Sequence, residues 1–165
     1  MDCGEFEKPC DPNYFESALL YIKKAQVLMK DKDYPYIGKE SQNGSCCINM
    51  KKCVHIHNLR YKGITSEKAM ATSVEKRGPI PFAMRVNTCF FRFSGKGIFD
   101  DCYCCMTGNG THAMTIIGFG HENGLDYWLI KNSWGKKWGD DGFAKIRRNI
   151  RLCGIDHYAL EVKFQ

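Results

Sequence analysis

The sequence predicts an α+β fold, and three observations carry that reading. A long amphipathic helical pattern stands near the front, a shorter one follows in the middle, and from residue 80 onward apolar runs joined by glycine-containing turns dominate. Length and composition agree, since 165 residues with 44% apolar content suffice for one globular domain with a sizeable core.

In chain order, residues 12–30 form the clearest helix. Asp11 can cap it, Pro12 suits its first turn, and Phe15, Ala18, Leu19, Ile22, Ala25 and Met29 recur at helical spacing. Residues 31–53 read as a loop. Val54 to Tyr61 alternates as a strand with one wet face, which His55 and His57 share. Ser66 to Lys76 reads as a short helix capped by Thr65 or Ser66 and ended by Gly78-Pro79. Ile80 to Val86 is a strand, with Pro81 implying an edge or a bulge at its start.

The stretch His112 to Gly142 carries the chemistry. Ala113 to Phe119 reads as a buried strand, His121 to Leu125 as a turn, and Tyr127 to Lys131 as the antiparallel return. Such a hairpin brings His112 and Asn132 within reach of a side-chain hydrogen bond. An imidazole held by an amide oxygen and roofed by an indole is a way to keep a Cys–His nucleophile pair oriented and dry. The competing readings are a satisfied core histidine and plain core aromatics at Trp134 and Trp138.

The net charge of +6 comes from scattered pairs such as Lys23-Lys24 and Arg147-Arg148, as solvated faces have it, so no nucleic-acid partner is expected. No stretch approaches the roughly 20 apolar residues of a membrane span. Ten cysteines point to a secreted or lysosomal setting. Yet Asp2, Glu5 and Glu7 interrupt any leader at the front, so the natural N-terminus is expected to lie elsewhere. No paired Cys-x-x-Cys sets accompany His55 and His57, so neither they nor Cys102-x-Cys104-Cys105 are expected to hold metal.

On Asn132-Ser133-Trp134-Gly135, the spacing from Gly135 to Gly142, and His112, the chain resembles the papain-like cysteine proteases, the papain and cathepsin family. Asp2-Cys3 with Cys10, Tyr34-Pro35-Tyr36, Gly78-Pro79-Ile80 and Cys153-Gly154-Ile155 extend the resemblance over most of the chain. It implies a remnant of a helical first lobe over about residues 1–36 and a barrel-like antiparallel β lobe over about 37–165. It also implies peptide or protein substrates, no cofactor, and a Cys-His-Asn mechanism with His112 and Asn132 as the catalytic pair. Trp134 would shield their hydrogen bond and Trp138 would line the leaving-group side. Phe15, Ala83 and Tyr158 fall where the family lines the pocket for the second residue before the cut, and a bulky Tyr158 implies a shallow one.

The same resemblance implies that Cys3 pairs with Cys46 or Cys47, and that one of Cys102, Cys104 and Cys105 pairs with Cys153. Cys10 would pair with a cysteine just before the nucleophile, while Cys53 and Cys89 match no family position. Gly44-Ser45-Cys46-Cys47 is similar to the nucleophile motif, but no Trp follows and it comes just after Tyr-Pro-Tyr. The family's His lies roughly 130–150 residues after its nucleophile, which places the cysteine about 20–40 residues before Met1. The nucleophile and the oxyanion glutamine are therefore expected in a preceding segment or a separate chain, and this chain alone is expected to be inactive. Where the family has Gly-Gly after its second cysteine, this chain has Asp11-Pro12-Asn13. Pro lacks the N–H that a strand-like substrate pairing needs, which leaves a non-catalytic peptide- or protein-binding relative as the alternative. Of two sequons, Asn43-Gly44-Ser45 and Asn109-Gly110-Thr111, the second abuts His112, and an active site there implies an unmodified Asn109.

Overall fold

A computed structural model describes residues 13–36, 49–107 and 110–165, without the side chain of Cys104. The capping by Asp11 and Pro12, the cysteines at 3, 10, 46 and 47, and the sequon asparagines 43 and 109 lie outside the described residues. The chain forms two compact units, 1–60 with 163–165 and 61–162.

In the first unit, α1 spans Phe15–Ala25. It stops short of the expected residue 30 because Gln26 turns into the left-handed region at φ 56°, its N–H still donating to the Ile22 carbonyl. The next residues form β1 (Val27–Met29), which pairs antiparallel with β2 (Cys53–His55). Met29 keeps the helical spacing but lies in a strand, because tertiary pairing overrides that spacing. No residue of α1 is buried. The strand expected over 54–61 breaks at Asn58, which has a φ of 52°. The His55 and His57 rings lie parallel on its wet side, 6.0 Å apart.

The second unit is built on β3 (Arg60–Ile64), α2 (Glu67–Arg77), β4 (Ile80–Val86), α3 (Thr88–Phe91), β5 (Ile98–Phe99), α4 (Cys102–Met106), β6 (Gly110–Glu122), β7 (Leu125–Lys131), β8 (Phe143–Arg147) and β9 (Tyr158–Lys163). Its seven strands run in the order β3-β9-β4-β6-β7-β8-β5. The recorded pairings of β4, β6, β7, β8 and β9 are antiparallel, whereas β5 joins β8 in parallel. Strand β4 lies inside the sheet and not at an edge. Pro81 is accommodated because the ladder to β9 is recorded only at Phe82 and Ala83, leaving the position without a required donor on that side. Helix α2 starts as its sequence signals, with the Ser66 hydroxyl accepting from the Ala69 N–H, and stops at Gly78.

The core gathers Trp128, Phe82, Phe90, Met70, Ile80, Ile116, Ile130 and Ile146, all essentially closed to solvent. The carboxyl of Glu67 is buried as well. Glu67 accepts from Trp128 Nε1 at 2.8 Å and the Asn149 N–H at 2.9 Å on one oxygen, and from the Arg151 N–H at 2.6 Å on the other. It thereby ties α2 to β7 and to the 149–151 loop, whose Asn149 and Arg151 take left-handed φ of 70° and 54°. A buried carboxyl is tolerable when its lone pairs are met in this way.

The 48-residue span between Cys105 and Cys153 is closed by a disulfide. Cys102, expected as a candidate for that bridge, is a free thiol. The helix phase decides between them: on α4 Cys105 faces inward at 8% exposure towards the equally buried Cys153, while Cys102 is exposed.

Candidate active site

The site rests on the β6–β7 hairpin. Asn123 and Gly124 both have positive φ, 51° and 78°, as a two-residue turn matched to strand twist requires. From that turn to Gly118, which pairs with Leu129, the register would carry Asn132 opposite Thr115, on the face away from His112. A bulge between Ile116 and Gly118 then slips the pairing by one, so that Ile116 meets Ile130 and Thr115 meets Lys131. Continued one residue past β7, the slipped register sets Asn132 across from Met114, two residues from His112 on the same face. A one-residue slip changes the face of every following side chain, so the bulge is what puts Asn132 on the side of His112, and the bend that follows brings Trp134 to them.

There they meet. His112 Nε2 lies 2.7 Å from Asn132 Oδ1, and the indole of Trp134 stacks on the imidazole at 4.3 Å between centroids and 21° between planes. The same Oδ1 accepts the Ser133 N–H at 2.7 Å, which fixes the amide with its oxygen towards the ring. Because an amide oxygen only accepts, Nε2 carries the proton and Nδ1 is the nitrogen open to a reacting group. Asn132 is buried, His112 and Trp134 half-buried.

The loop after β7 is held by its backbone. The Asn132 N–H donates to the Gly142 carbonyl at 3.0 Å and the Gly142 N–H to the Trp138 carbonyl at 2.9 Å. Gly139, with φ 62°, has no room for a side chain: a Cβ would fall 2.3 Å from the Phe143 carbonyl oxygen.

Trp138 packs against Trp134. It is buried at 7% exposure, its Nε1 donates to the Phe90 carbonyl at 3.1 Å, and it meets Trp134 edge-on. It supports the roof from behind because an indole N–H is buried only where it finds an acceptor. The exposed aromatic beside Trp134 is Phe91, 5.2 Å away and 62% exposed. Sequence reasoning missed it, since Phe90 and Phe91 are adjacent and only the turn of α3 decides which is buried.

Of the expected pocket residues, Ala83 and Tyr158 are register partners on β4 and β9, Ala83 buried and Tyr158 46% exposed. Ala83 also pairs with Ala113, next to His112. Phe15 lies on α1, in the first unit. Among the described residues no cluster of three or more His, Cys, Asp or Glu side chains could hold a metal ion, and none of the described cysteines bonds to His112. No helix of the described residues is long and apolar enough to cross a membrane.

An amide-anchored, indole-stacked histidine at the base of a β-hairpin is matched by sequence over the chain: residues 1–162 fit the papain family cysteine protease. The chain belongs to that family. It is 34% identical over 159 residues to mouse pro-cathepsin H and 32% identical over 161 residues to mouse cathepsin K, covering 94% and 96% of this chain. A solved digestive procathepsin L2 proteinase from Tenebrio molitor larval midgut superposes with a TM-score of 0.77 at 32% identity, covering 93% of this chain and 50% of that one. The chain spans 46% and 48% of the two mouse relatives, about half their length. The papain-like fold, with few helices and one large, mostly antiparallel sheet, is thus the one the resemblance implied.

Proposed function

We propose that this chain supplies the proton-handling half of a papain-like cysteine endopeptidase site and hydrolyses no peptide by itself. The observation that carries the reading is the 2.7 Å His112–Asn132 contact under Trp134. With Nε2–H donated to Asn132, Nδ1 takes the proton of a thiol and forms an imidazolium beside a thiolate. After the thiolate adds to the peptide carbonyl, Nδ1–H returns that proton to the leaving amine. Asn132 keeps the ring in one orientation through both steps, and Trp134 keeps water from competing for its hydrogen bond.

The thiol, and the glutamine that would polarise the carbonyl, come in this reading from a segment ahead of residue 1 or from a separate chain. Substrates are peptides or proteins, and Ala83 with Tyr158 forms part of a shallow pocket for modest apolar side chains. The setting is lysosomal or extracellular, which suits a chain with ten cysteines.

One observation favours the second reading, a papain-fold module that binds a peptide or protein without cutting it: Pro12 and Asn13 stand where the family has Gly-Gly. Assaying the purified 165-residue chain on fluorogenic peptides tests the first. No turnover is expected, and turnover abolished by Cys3→Ser, Cys10→Ser or Cys46→Ser would sink it.

A further inference from the structure

Away from His112, a cavity of about 360 Å³ opens between α4 and the 150–157 loop. That volume is within the range of small-molecule sites. Its wall combines two kinds of group that take no part in the catalytic steps proposed above. Sulfur comes from the exposed free thiol Cys102 and from the Cys105–Cys153 disulfide. Positive or protonatable groups come from Arg85, Arg151 and His157. Arg151 is paired through Nε to Asp156 at 2.7 Å, whereas Arg85 forms no ion pair among the described residues.

We propose that this cavity is a modification site at which Cys102 takes up a small carboxylate-bearing thiol as a mixed disulfide. The chemistry selects its occupant. A guanidinium fork matches a carboxylate, so a disulfide whose substituents carry carboxylates is held with its sulfurs beside Cys102. Cys102 Sγ releases its proton to solvent and attacks one sulfur of the donor R–S–S–R. The Cys102 Sγ–S–R bond forms, the donor S–S bond breaks, and the departing RS⁻ takes up a proton. Oxidation of Cys102 is balanced by reduction of the released half of the donor, so no other oxidant enters. Cys105 and Cys153 are 8% and 7% exposed, which shields their bridge from thiols in solution and leaves Cys102 as the reacting sulfur.

The full 165-residue chain, its fold checked by circular dichroism, is exposed in separate arms to glutathione disulfide, cystine and the cationic disulfide cystamine. Peptide mapping without reduction then reads the label at each cysteine. The expected result is labelling of Cys102 faster by the acidic donors than by cystamine, on the order of tenfold. That preference should collapse towards one in Arg85→Gln, fall to an intermediate value in Arg85→Lys, which keeps the charge without the fork, and vanish in urea, while Cys102→Ser removes the label. The faster acidic donor identifies the thiol. Equal rates for acidic and cationic donors overturn the proposal, as do labelling of Cys53 or Cys89 at the rate of Cys102 and internal exchange to a Cys102–Cys153 bridge.

Discussion

His112 and Asn132 share a face of the sheet because the β6 strand carries one residue more than its partner between Ile116 and Gly118. The 2.7 Å bond between their side chains therefore depends on a defect in the ladder at Ile116 and Ile130, remote from His112 along β6 and ahead of Asn132 along β7. Asn132→Ala should free the imidazole. In wild type the His112 Nε2–H is shielded by Trp134, so its proton signal in NMR is expected to be slow to exchange. Loss of the amide acceptor is predicted to remove that signal, and an unchanged signal would show that the bond does not hold the ring.

Deleting Ile117 would restore an unbroken ladder. The prediction is a folded chain whose His112 no longer contacts Trp134, read as loss of the nuclear Overhauser effect between imidazole and indole. Persistence of that contact would mean that the loop, and not the bulge, sets the geometry.

Glu67 makes three hydrogen bonds to N–H donors inside the core. Glu67→Gln replaces one accepting oxygen with a donor facing a donor and is expected to cost about 1–3 kcal/mol. The midpoint of urea unfolding measures it; a change within error would show the network to be dispensable.

Asp126 faces His121 at 2.8 Å, with Asn149 at 2.6 Å and Arg148 at 3.6 Å. The His121 hydrogen bond, above all, holds its carboxyl below the ordinary value of 3.8 despite some desolvation, with Arg148 and Asn149 adding to the effect. A lowered folded-state value means that its contribution to stability is present above pH 3.8 and lost as pH falls through the lower folded value. Asp126→Asn should therefore lose less stability than wild type on acidification across that window, as unfolding midpoints followed with pH would show. Parallel curves would contradict the assignment.

The Cys105–Cys153 bridge closes a 48-residue span, so chain entropy alone assigns it roughly 4 kcal/mol. Cys153→Ala should lower stability by an amount of that order, read in the same unfolding experiment. A negligible loss would point to residual structure in the unfolded chain.

Much of this was legible in the sequence for physical reasons. The hairpin shows in its two apolar runs around Asn123-Gly124, α2 in its Ser66 cap and Gly78 stop, and the site in the company that Asn132 and Trp134 keep with His112. The bulge was not, because Ala113 to Phe119 is nearly continuous in apolar character and such a run has no phase to betray a slip. Nor was the end of α1, where Met29 keeps the helical spacing while β2 claims it as a strand. Glu67 has the look of any first-turn acid on a helix, and only the packing of Trp128 and the 149–151 loop over it reveals its burial. Pro81 argues for an edge or a bulge from its missing N–H, yet a ladder that stops short leaves room for it inside the sheet.

The central claim is that His112, Asn132 and Trp134 are a competent half-site awaiting a thiol. Its most direct test fuses the 165 residues behind the N-terminal half of a related cathepsin, which carries the nucleophile, and follows hydrolysis of a fluorogenic peptide. The account predicts no turnover by the chain alone, clear turnover by the fusion, and a loss of at least about 100-fold in the fusion's kcat with His112→Ala. Turnover by the chain alone, or turnover by the fusion that His112→Ala leaves intact, would contradict it.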